Sequence, residues 1–123
     1  MHRNKKILFD GDQAELFSKN YSIKCSCCDQ CSYISPLECN AASNLPSEVL
    51  TNVLSSIKGL KTVDLEGSKF YKVDNLPLKY IYFECKKCHS KYLSFFGLGE
   101  YQPARFIFKL LLIISIEYFF RKD

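Results

Sequence analysis

Residues 23–33 read IKCSCCDQCSY, and four of the seven positions from Cys25 to Cys31 are cysteines. Thiols at that density serve disulfides, redox chemistry, a metal ion or a small buried knot. A second pair narrows the choice. Phe83-Glu84-Cys85-Lys86-Lys87-Cys88 lays onto Ile23-Lys24-Cys25-Ser26-Cys27-Cys28: an apolar residue, a spacer, then Cys-x-x-Cys, each after a strand-like run with tyrosine. A tight turn between two cysteines aims both sulfurs at one ion, while N–H groups of the turn stabilise the thiolates. Two such turns supply four sulfurs at ~2.3 Å in a tetrahedron, which suits Zn²⁺. The candidate ligands are Cys25, Cys28, Cys85 and Cys88. Cys28-Asp29-Gln30-Cys31 is also a Cys-x-x-Cys, so Cys31 stands as an alternative ligand. The repeated flanking pattern favours Cys25 with Cys28. Cys27, Cys31 and Cys39 then read as small buried hydrophobes. His89 reads as a turn residue ahead of a further or replacement ligand, and His2 as a tail residue.

The double knuckle resembles a zinc ribbon or a rubredoxin-like protein over the two motifs and their flanking strands. It departs from a compact ribbon in spacing. Between Cys28 and Cys85 lie 56 residues, against roughly 15–20 in the simple pattern, so a helix and at least one hairpin are inserted. The stretch CKKCHSKY…GLGEYQPAR further resembles small bacterial zinc-ribbon proteins, some of them immunity proteins encoded beside secreted toxins. That likeness implies a compact, non-enzymatic protein that binds another protein. Richness in Lys, Asn, Ile, Phe and Tyr points to an AT-rich bacterial or phage genome.

The chain has 123 residues, which reads as one domain able to bury a core without staples. Its formal charge is +4. Four thiolates and one Zn²⁺ would lower that to about +2, so the balance gives little support to nucleic acid. Ile7, Leu8 and Phe9 are too short an apolar run for a signal peptide, which needs roughly 7–15 residues. Leu110–Ile116 falls far short of the ~20 residues that cross a bilayer. The expected compartment is the cytoplasm, where thiols stay reduced. Seven cysteines, an odd number, also fit a closed disulfide framework poorly.

The predicted fold is α+β: an antiparallel sheet, one main helix and the cysteine site at one end. Residues 1–19 read as a polar lead-in, flexible or briefly helical at Ala14, Leu16 and Phe17. Tyr21–Cys25 reads as a strand, and Ser35–Pro46 as loop chemistry. Val49, Leu50, Val53, Leu54, Ile57 and Leu60 lay one apolar stripe on a helix capped by Ser47 and ended at Lys58-Gly59. Period-two patterns then predict strands over 61–66 (Val63 and Leu65 inward), 70–73, 78–84 and 92–96. In Phe106–Phe120, the residues from Phe106 to Tyr118 of one parity are all apolar. This favours a long strand over a buried helix, which stays open as the alternative.

Glycines, a proline and an arginine make Gly97–Arg105 a strand connection or an exposed loop. The second reading presents Glu100, Tyr101, Gln102 and Arg105 to a protein partner, Tyr and Arg being favoured at interface hot spots. No acid–base pair or Cys–His dyad can be placed, so no enzyme is predicted. Two other classes stay open. A nucleic-acid binder would use Lys86, Lys87 and Lys91 beside Tyr80, Tyr82 or Tyr92 as stacking surfaces. A thiol oxidoreductase would need Cys-x-x-Cys at a helix N-terminus, and neither motif precedes a helical pattern.

Overall fold

The computed structural model describes residues 5–25 and 28–116, with Cys31 described through its backbone alone. Among these the chain is mostly antiparallel sheet with a small helical part. Strand β1 (Lys6–Gly11) leads into a short helix, α1 (Gln13–Phe17), and then into β2 (Tyr21–Lys24) and β3 (Cys31–Ile34). A two-residue strand, β4 (Asn40–Ala41), lies between 3-10 turns, ahead of helix α2 (Ser47–Leu54). Strands β5 (Leu60–Leu65), β6 (Ser68–Val73), β7 (Leu76–Glu84), β8 (Lys91–Gln102) and β9 (Arg105–Ser115) complete the described order. The main sheet runs β1-β9-β8-β7-β6-β5, with β4 paired to β7, and β2 with β3 forms a separate two-stranded sheet.

The apolar run YLSFFGL at the centre of β8 is buried throughout, from Tyr92 to Leu98. A strand covered on both faces loses polar alternation, and here each face has its own core. One contains Ile23, Phe83, Tyr92, Phe96 and Phe108 under β2, β3 and α1. The other contains Phe95, Leu78, Leu112 and Ile114 under Leu50 and Val53 of α2. Burying each of Phe95, Phe96 and Phe108, all fully enclosed, stabilises the fold by roughly 1.5–3 kcal/mol. Ser94 is the polar residue in this run; its hydroxyl donates to Ile81 O at 2.9 Å, so no buried group is orphaned there.

The structure revises several expectations. The lead-in is an edge strand plus a helix: Lys6–Gly11 pairs with β9, and Asp12 caps α1 by accepting from Glu15 N–H. Helix α2 is shorter than its apolar stripe, and Ser47 is its first residue, after Pro46. The Ser55 and Ser56 hydroxyls both donate to Asn52 O. Such side-chain competition with the backbone favours helix ends. Val63 is half-buried and Leu65 is exposed, because the β5–β6 hairpin leaves the sheet. Gly97–Gln102 belong to β8, so the exposed loop is a strand. Its glycines admit β7: a Cβ on Gly99 would lie 3.0 Å from Pro77 Cδ, and one on Gly97 3.2 Å from Leu76 Cδ1.

The C-terminal segment is a strand as far as Ser115; its continuation to Phe120 lies outside the described residues. Its apolar parity is split between the faces. Phe95 pairs with Leu112 but Phe96 with Leu110, so Leu111 is a bulge. The extra residue sends Phe108 to the first core and Leu111, Leu112 and Ile114 to the second. No described helix is long and apolar enough to cross a membrane.

Candidate metal centre

The described residues of the two cysteine motifs make the same backbone contacts at a constant offset of 60 residues (85 minus 25, 88 minus 28). Lys24 pairs with Cys31 as the last rung of β2–β3, and Glu84 with Lys91 as the last rung of β7–β8. Beyond the rung, Cys25 N–H donates to Gln30 O at 2.9 Å and Cys85 N–H to Ser90 O at 2.9 Å. Inside the turn, Asp29 N–H donates to Cys25 O at 3.0 Å and His89 N–H to Cys85 O at 2.8 Å. Asp29 and His89 both take left-handed φ, 59° and 62°. Among non-glycine residues Asp and His are enriched in that region, so the backbone requirement explains His89 as a turn residue.

The hairpin tips converge although their cysteines are far apart in sequence. The Sγ atoms of Cys25, Cys28, Cys85 and Cys88 all lie within 4.8 Å of one another. The cross-knuckle pairs Cys25–Cys88 and Cys28–Cys85 are each 3.5 Å apart, against about 2.05 Å in a disulfide. A tetrahedron with bonds of ~2.3 Å has edges of about 3.8 Å, so the donor set and spacing fit a metal site of four cysteine ligands. Cys25 and Cys85 are buried, Cys28 is half-buried and Cys88 is exposed. Among the described side chains, Cys25 and Cys28 are the first-knuckle thiols in this cluster. Cys27 and the side chain of Cys31 lie outside the described residues.

Backbone N–H groups of the turns favour sulfur anions. The Cys88 backbone N–H holds the Cys85 thiol below its ordinary pKa; burial opposes it and the Lys87 N–H supports it. At Cys28 the Gln30 N–H also favours the thiolate, but burial and the neighbouring Cys85, Cys88 and Cys25 outweigh it and push the thiol up to about 12. Adjacent thiols cannot all ionise without a compensating cation. Tyr92 Oη lies 3.2 Å from Cys25 Sγ. Its ring stacks on Phe83, opposite it in the ladder, with centroids 5.1 Å apart. Ser90 Oγ lies 3.2 Å from Cys88 Sγ. Tyr92 and Ser90 are contacts that spacing did not reveal. Tyr92 is 1 % exposed, which removes it from the stacking surface expected of a nucleic-acid binder.

The other candidate residues lie elsewhere. Cys39 packs against the first core, and burial pushes its thiol up to about 12, as befits an inert filler. Tyr101 and Arg105 are engaged within the chain: Tyr101 Oη donates to Asp10 Oδ1 at 2.7 Å, Arg105 to the same oxygen at 2.9 Å, and Arg105 Nε to Tyr101 Oη at 3.0 Å. Glu100 accepts from Ala104 N–H at 3.3 Å, closing the β8–β9 turn. Gln102 is exposed and pairs with Arg105 in the same ladder. The structure therefore brings the four knuckle cysteines together, while Glu100, Tyr101 and Arg105, all exposed, also hydrogen-bond within the chain. Both knuckles continue into strands, β3 and β8, so neither motif opens a described helix. No protein-family model matches the chain, and neither a curated protein nor a solved structure matches it.

Proposed function

We propose that the protein is a structural-zinc module that works by binding another protein, with no chemistry at the metal. The observation that carries this is the ring of four sulfurs held by two matching turns. Four thiolates complete a tetrahedral shell and leave no position for water or substrate. Cys25, Cys28, Cys85 and Cys88 would hold the ion, and the ion would tie β2–β3 to β7–β8. The soft, all-sulfur set favours zinc among the abundant divalent metals. The finer reading, a protein that neutralises a bacterial toxin, rests on the likeness of CKKCHSKY…GLGEYQPAR to immunity proteins. The expected compartment is the cytoplasm and the expected unit a single domain.

A second reading, a nucleic-acid binder, draws on a cleft of about 450 Å³ beside the second knuckle, lined by Tyr33, Lys86 and Lys87 among others. Glu84 lines the same cleft, which weakens it for phosphate. Binding that falls steeply with salt would favour this reading.

Elemental analysis of the purified chain tests the metal. About one zinc per chain is expected, lost or greatly weakened in Cys85→Ser and retained in Cys39→Ser. Metal-free native protein, or thiols joined in disulfides, would sink the proposal.

A further inference from the structure

A second open surface lies away from the sulfurs. Strand β6 joins β7 through Lys72–Pro77 and Val73–Leu76. The next positions of β7, Lys79 and Tyr80, pair instead with Ala41 and Asn40 of β4. β6 therefore diverges. Over 68–71 it has β5 on one side and, among the described residues, no strand on the other. The opening is a groove of about 330 Å³.

Val63, Leu65 and Phe70 line this groove together with Pro77 of β7. Leu65 is 58 % exposed and Phe70 43 %. An isolated two-stranded hairpin is marginal in water, and large apolar side chains on it gain little while uncovered. The ladder fixes which side chains share the face: Val63 stands opposite Phe70, Leu65 opposite Ser68, and Lys61 opposite Lys72. Lys72 and Lys79 line the groove, and among the described residues no carboxylate does. Opposed lysines on paired strands repel, so this face carries positive charge beside an apolar strip and a ladder left open among the described residues.

We propose that the groove is the docking site for an extended, acidic peptide segment of a protein partner. The peptide backbone pairs with the open side of β6. Alternate side chains cover Val63, Leu65 and Phe70, and its carboxylates meet Lys72, Lys79 and Lys61. This rests on the reading of the chain as a protein-binding module and gives that module a surface and a partner chemistry.

Fluorescence anisotropy of the zinc-loaded full chain tests it, with a labelled peptide of alternating glutamate and valine. The same peptide with lysine in place of glutamate is the control. The acidic peptide is expected to bind saturably and the basic one not at all. Lys72→Glu with Lys79→Glu should weaken binding about tenfold or more, as should Leu65→Ser with Phe70→Ser. Lys6→Glu, on β1 at the opposite edge of the sheet, should leave it unchanged. Circular dichroism and zinc content confirm that each variant is folded, and Lys72→Gln with Lys79→Gln serves if the charge reversal is not. Equal binding of both peptides, or binding that survives both groove variants, overturns the proposal. A dimer dissolved by Leu65→Ser with Phe70→Ser also overturns it, assigning the groove to a second copy. Absence of saturable binding by zinc-loaded protein sinks the docking site alone; a chain without zinc sinks the metal reading instead.

Discussion

Tyr92 has its hydroxyl at Cys25 Sγ because three local facts coincide. It follows the last rung of β7–β8 by one residue, it faces the first core, and its ring is fixed on Phe83. With a metal bound, Cys25 would be a thiolate and the phenol would be the donor, in a charge-assisted bond worth about 1.5–3 kcal/mol. Tyr92→Phe keeps the ring and removes that donor. The variant is expected to bind the same amount of zinc about tenfold more weakly, read by competition with a chromophoric chelator. Unchanged affinity would show that the phenol is packing only. The four clustered cysteines were legible in the sequence because a Cys-x-x-Cys turn is local and its flanking pattern recurs. Tyr92 was not, because its sulfur is 67 residues away, and a tyrosine in a strand reads as a surface ring until the sheet is assembled.

At the scale of elements, the order of legibility follows how much structure each segment carries alone. β7 and β9 have enough apolar and β-branched residues to be read directly, and α2 has its stripe. β1, β3 and β4 are short, and they are strands because a neighbour offers a ladder. β1 is an outer strand of the main sheet, and Asp10 fastens it to the β8–β9 turn through Tyr101 and Arg105. Those hydrogen bonds, first from Tyr101 and then from Arg105, hold the Asp10 carboxyl below its ordinary pKa. A depressed carboxylate contributes stability that is present above its unfolded value near about 3.9 and is lost as pH falls through the folded value. Asp10→Asn should therefore lower the melting temperature at neutral pH. The gap from wild type should shrink below about pH 4. Both proteins carry the same cysteines, so acid effects on the metal centre cancel in the difference. A gap that persists into strong acid would show that Asp10 acts other than as an anion.

At the scale of the molecule, the sheet has two covered faces, and the coverings are attached differently. Helix α2 follows β4, which is itself hydrogen-bonded to β7. The β2–β3 sheet has no ladder to the main sheet among the described residues. It packs through Ile23 and Ile34 into the first core, and its knuckle sulfurs lie within 4.8 Å of those of β7–β8. The overall class was legible because alternating runs announce an antiparallel sheet. The insertion of α2 and the β5–β6 hairpin between the knuckles followed from their spacing. The separateness of the knuckle hairpin was not legible, since pairing partners outside a hairpin leave no local mark. That separateness decides how removal of the proposed zinc would act. Structural zinc supplies folding energy directly in small domains, but here the central strands are buried on both faces without it. Chelation should therefore loosen one end and spare the middle. Hydrogen exchange followed by mass spectrometry is expected to show amides of Tyr21–Lys24 and Cys31–Ile34 speeding up by about a hundredfold or more on chelation. Those of β8 and β9 should stay protected, as expected for a local opening below the global free energy. Re-addition of zinc should restore protection, and Cys85→Ser should show the same pattern without chelator. Uniform acceleration across both sheets would mean that the metal holds the whole fold, and no change in β2–β3 would mean that core packing alone seats the knuckle hairpin.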